Sequence, residues 1–151
     1  MSKKQVKGIV ILLQLFLIGA LFLPAGTIIG SAKNQDDATL SVFRMMDRYA
    51  GMGFADDARF YMIFAGLFPA AVIVLLLVLK ERKNFEAGII LSAFYATASA
   101  CFYSAAKTKM VDYATMTILP NLIILVSLLS LVMLIRGFFM DTPEGAAKRK
   151  N

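Results

Sequence analysis

Four long apolar runs dominate the chain, separated by polar segments of unequal length. They cover about residues 7–24, 58–79, 85–106 and 114–135. Each is close to the ~20 residues that a helix needs to cross a hydrocarbon core. No charged side chain stands near the middle of any run. A helix satisfies its own backbone in lipid, so such runs are read as spanning helices. The pattern predicts an all-α fold: an integral membrane four-helix bundle, with residues 1–151 as a single domain. The links at 80–84 and 107–113 are short, so the last three helices are expected to be antiparallel neighbours.

The one long connection is residues 25–57, and its pattern changes midway. Residues 25–35 are Gly-rich and polar, which suits irregular chain. Residues 36–50 then place Val42, Phe43, Met45, Met46, Tyr49 and Ala50 on one side of a helix. Ser41, Arg44, Asp47 and Arg48 fall on the other side, and Leu40 is out of phase. This predicts an amphipathic helix between spans one and two, capped by Asp36 or Asp37 and ended at Gly51-Met52-Gly53. Its apolar face would lie on the membrane, the bundle or a partner. Phe43, Met46 and Tyr49 are the candidate partner surface.

Around the third run the small residues stand out. Gly88, Ser92, Ala96, Ala100 and Ser104 form an i, i+4 row, with Leu91, Phe94, Tyr95 and Phe102 opposite. Small residues let helix backbones approach in a membrane, where association depends on close packing. The row is the expected helix-packing face and the bulky side the expected lipid face. Elsewhere, Gln14 is the one strongly polar side chain near the middle of the first run. Asn121, Ser127 and Ser130 dot the last run. Such groups find partners on neighbouring helices or line a polar pathway.

Charge sets the expected orientation. The termini and the 80–84 link hold ten basic residues: Lys3, Lys4, Lys7, Lys80, Arg82, Lys83, Arg136, Lys148, Arg149 and Lys150. The other side holds six: Lys33, Arg44, Arg48, Arg59, Lys107 and Lys109. The positive-inside rule then predicts a cell (cytoplasmic) membrane protein with both termini and the tail 136–151 cytoplasmic, and the long loop outside. The basic start, apolar stretch and small residues at 30–32 also fit a secretory signal. Three further runs come after it, so a retained first helix is expected.

Composition narrows the chemistry. The chain is 59% hydrophobic with a mean hydropathy of +0.71, well above the usual apolar share of a soluble domain. It has no histidine and one cysteine. That excludes a histidine-ligated haem or zinc site, an internal disulfide framework and a Ser-His-Asp triad within this chain. No cofactor is expected. The net charge of +6 is spread between and outside the apolar runs, which argues against nucleic acid as a partner.

Small multidrug transporters carry a glutamate in their first helix; here Gln14 stands in that helix and the first loop is longer. The tryptophan and paired cysteines of claudin-like outer loops are absent. In topology, a first span ending in Phe22-Leu23-Pro24, a long outer loop and three closely spaced spans, the chain resembles small four-helix membrane proteins of bacteria. The resemblance implies an arrangement and brings no active residue. Three functions remain from the sequence. The first is a non-catalytic accessory or scaffolding subunit that meets a protein partner, or a second copy, through its outer loop or the small-residue face of its third helix. The second is an oligomeric solute pathway lined by Gln14, Asn121, Ser127 and Ser130, and the third an enzyme acting on lipid.

Overall fold

The computed structural model describes residues 2–29, 39–79 and 82–140. Helix α1 (Lys3–Ala20) opens with a capping box: the Ser2 hydroxyl accepts from the Gln5 amide at 3.3 Å, and the Gln5 side chain accepts from the Ser2 amide at 2.6 Å. The helix ends earlier than residue 24. Proline biases the residue before it toward extended backbone, so the chain leaves the helix ahead of Pro24.

Strand β1 (Pro24–Ile28) comes next, then β2 (Thr39–Ser41). The Ser41 hydroxyl caps helix α2 (Val42–Tyr49) by accepting from the Arg44 amide at 3.3 Å. The expected caps, Asp36 and Asp37, lie outside the described residues. A π-helical turn (Ala50–Phe54) carries the chain into α3 (Ala55–Val78). Gly53 has φ +99° in that turn, a conformation other residues rarely take, so the glycine places the kink that separates α2 and its π-helical turn from α3, within the predicted Gly51-Met52-Gly53 stretch. Asp56 and Asp57 lie in the first turn of α3, beside the positive end of its dipole, but no side chain caps it.

Helix α4 (Arg82–Lys109) comes after a short link, which Asn84 closes by donating to the Leu79 carbonyl at 3.1 Å. Strand β3 (Ala114–Met116) and helix α5 (Leu119–Phe139) complete the order. The last helix begins five residues later than residue 114, with Pro120 in its first turn, where a missing amide costs little.

The long helices pack as a ring. Neighbours run α1–α3–α4–α5 and back to α1, leaving α1 and α4 across the diagonal. At one end, β1 pairs antiparallel with both β2 and β3, in the order β2-β1-β3. Helix dominates, so the fold is all-α as expected, and this small sheet is an addition that the apolar pattern did not predict. Its register sets Gly26 against Met116, Thr27 against Thr115 and Ile28 against Ala114.

The core has two parts. Near the link between α3 and α4, Val6, Val10, Val72, Leu76, Phe85 and Leu134 form one cluster. Toward the sheet a larger cluster gathers Leu17, Tyr61, Tyr95, Ile123 and most of the buried face of α2. Outside, the bundle is apolar as well: Leu12, Leu67, Leu77, Phe94, Leu125 and Val132 are all exposed. Helices α4 and α5, and the α2–α3 segment, are long and apolar enough to cross a membrane. Helix α1 is shorter, at 18 residues, and carries three lysines.

Candidate functional site: the free edge of the sheet

Inside the bundle, Gln14 is 2% exposed, and its amide nitrogen donates to the Ser130 hydroxyl at 2.7 Å. The same nitrogen lies 3.5 Å from the Ser92 hydroxyl, across the diagonal of the ring. Gln14 thus ties α1 to α5 and α4. This polar layer sits between the two apolar clusters. Ser127 turns back on its own helix, donating to the Ile124 carbonyl at 2.7 Å. Asn121 is exposed near the sheet and does not join them. Of the four polar residues named from the sequence, only Gln14 and Ser130 meet, and their partner Ser92 came from the small-residue row.

That row does not stay on one face. Gly88, Ser92 and Ala96 are buried; Ala100 and Ser104 are exposed. A strict i+4 row advances about 40° per step, so Gly88 and Ser104 stand about 160° apart. The face of α4 that packs instead alternates three- and four-residue steps through Phe85, Gly88, Ser92, Tyr95, Ser99, Phe102 and Ala106, all buried. Tyr95 and Phe102 therefore point inward, whereas Phe94 is exposed and Leu91 half-buried. Phe102 stacks on Tyr61 of α3 at 4.2 Å between ring centroids, and the Tyr61 hydroxyl lies 3.3 Å from Ser99.

The apolar face of α2 is covered by its own chain. Met46 and Tyr49 are buried in the larger cluster, and Phe43 is half-buried against the Phe22 ring at 5.2 Å. Met46 and Tyr49 are not a surface for a partner. Leu40, out of phase for a helix, belongs to β2 and is buried too.

Among the described residues, backbone groups are left open at the β3 edge of the sheet. Ile29 donates to the Tyr113 carbonyl at 2.9 Å, and Thr117 donates to the Ala25 carbonyl at 2.9 Å. In an antiparallel ladder the bonded residues alternate. Residues 113, 115 and 117 thus address β1, and Ala114 and Met116 turn their backbone groups away. The Ala114 amide is used, donating to the Met110 carbonyl at 2.9 Å. The Met116 amide finds no acceptor among the described residues.

A groove of about 480 Å³ runs along this strand. Four consecutive residues, Ala114 to Thr117, line it. A sheet face would show alternate residues, so consecutive lining marks an edge. Its other walls are α4, through Ser104 and Lys107, and the start of α5, through Pro120 and Asn121. Two threonines brace the strand: Thr115 donates to the Thr27 carbonyl at 3.4 Å, and Thr117 to the Pro24 carbonyl at 3.0 Å. The sequence signal for this edge was Tyr113, Thr115 and Thr117 at period two, a β pattern hidden at the head of an apolar run.

No protein-family model, curated protein or solved structure matches the chain, so its reading rests on this geometry.

Proposed function

We propose that the protein is a non-catalytic, multi-pass membrane subunit that holds a partner by strand addition at β3. The free edge beside a half-polar groove carries the reading. An extended segment laid against Met116 would complete its backbone pairing, and the groove walls would receive alternate side chains. Lys107 on one wall suits a segment bearing a carboxylate. The apolar exterior and three long apolar segments support a bundle set in a bilayer, with α1, packed in the same ring, as its fourth span. The excess of basic residues at the termini and the 80–84 link supports placing them in the cytoplasm, with the sheet outside. This reading keeps the accessory role and moves the contact from the face of α2 to the edge of β3.

The test is a photo-crosslinker placed at Val111, an exposed groove residue, or at Leu12, an exposed residue of α1, in native membranes. One discrete protein adduct at Val111, absent at Leu12 and lost in Met116→Pro, is the expected result. Equal labelling at both sites, or an adduct indifferent to Met116→Pro, refutes the proposal. Proline removes the outward amide and leaves the bonds of Thr115 and Thr117 to β1 in place.

A further inference from the structure

A second concavity lies on another flank of α4, between it and α3, with a volume of about 420 Å³. That is large enough for a small amphiphile. Its walls are aromatic: Phe60, Tyr61, Phe64, Phe94 and Phe102, with Tyr49 of α2 at the sheet end. The rings are braced against one another: Phe60 and Phe64 lie 4.1 Å apart, and Tyr49 meets Phe102 at 5.5 Å. The one hydroxyl on the α4 wall is spoken for, since Thr97 donates to the Ala93 carbonyl at 3.0 Å.

Asp57 is the one charged side chain lining the cleft among the described residues. It is exposed in the first turn of α3 and makes no ion pair among the described residues. An unpaired carboxylate beside several ring faces is suited to a cation, and ring faces attract cations in their own right. Below it the walls are apolar. The two halves ask for one molecule with two ends.

We propose that this cleft binds a single-tailed cationic amphiphile, its ammonium head at Asp57 and its tail along Phe64 and Phe94. The proposal rests on the membrane reading above for access from the lipid side and is independent of the strand edge. The natural reporter is Cys101, the chain's one cysteine, which is exposed and lines the cleft. An occupant covers it.

The experiment measures alkylation of Cys101 by N-ethylmaleimide, read by intact mass, on full-length protein in a nonionic maltoside detergent. The probes are dodecyltrimethylammonium, dodecylphosphocholine, dodecyl sulfate and tetramethylammonium. Dodecyltrimethylammonium is expected to slow labelling, and tetramethylammonium, which has no tail, to leave it unchanged. Asp57→Asn should weaken protection about fivefold, the upper scale of one ion pair lost at an exposed site. Asp57→Glu should keep it. Thr97→Trp, at an exposed wall position, should fill the cleft, slow labelling by itself and remove any further effect of the probe. Equal protection by the sulfate overturns the charge assignment. Protection by tetramethylammonium overturns the need for a tail. Protection unchanged in both Asp57→Asn and Thr97→Trp removes the site. The comparison of head groups on the unmutated protein needs no variant to fold.

Discussion

Phe85 of α4 lies directly on the backbone of Gly137 of α5, so closely that a Cβ at 137 would collide with the ring. One turn along, the sizes reverse: a Cβ at Gly88 of α4 would come 3.0 Å from a methyl of Leu134 of α5. Each helix offers a glycine where the other offers a large side chain. That exchange sets how closely α4 and α5 approach at the end away from the sheet. Gly137→Leu is expected to cost about 1–3 kcal/mol by overpacking. Gly66→Ala, with nothing near its Cβ position, should cost nothing measurable. Thermal stability of monodisperse protein in one detergent reads both. Phe85→Ala should recover part of the loss in the double variant, because the two residues share one space.

The Gln14 layer yields a different kind of prediction. Interhelical hydrogen bonds in membrane proteins average about 0.6 kcal/mol, and the best reach roughly 2. Ser130→Ala removes the acceptor at 2.7 Å and leaves a buried amide with only the longer contact to Ser92. It should therefore destabilise more than Gln14→Leu/Ser130→Ala, which removes both partners. If the double variant proves the weaker protein, the layer holds the bundle together more than this account allows. The measurement is the same thermal series.

Ala96 and Ala100 separate the packed part of the small-residue row from the rest. Ala96 is 7% exposed, and Ala100 is open. Ala96→Leu is expected to lose about 1–3 kcal/mol, and Ala100→Leu to stay within a few tenths. Recovery of folded protein from size-exclusion chromatography checks the order.

For α2, Met46→Asp puts a charge into the larger cluster, and Arg44→Glu changes an exposed position. The first should abolish recovery of folded protein; the second should be silent. Both are scored by expression and monodispersity.

The bundle was legible because about 20 apolar residues in a row have few alternatives to a helix. The amphipathic helix was legible from the spacing of Met45, Met46 and Tyr49. What covers it was not, because an apolar face looks alike whether lipid, bundle or partner meets it. The small row misled at its far end, since a repeat of four drifts around a helix of 3.6 residues per turn. The sheet was missed for a local reason. Its strands are at most five residues long, and β3 merges into the apolar run of α5. Pairing of residue 27 with residue 115 is a long-range fact that no local pattern announces. The groove inherits that invisibility: Lys107, Met116 and Asn121 come together only once the sheet closes.

Amide hydrogen exchange at Met116 tests the strand-edge proposal most directly. Thr115 and Thr117 address β1, and Met116 faces the groove. Exchange resolved to single residues should find the Met116 amide fast in the isolated protein, with its two neighbours protected. On adding the captured partner, Met116 should become protected and its neighbours change little. A Met116 amide as protected as that of Thr115 in the isolated protein, or one still fast in the complex, would contradict the account.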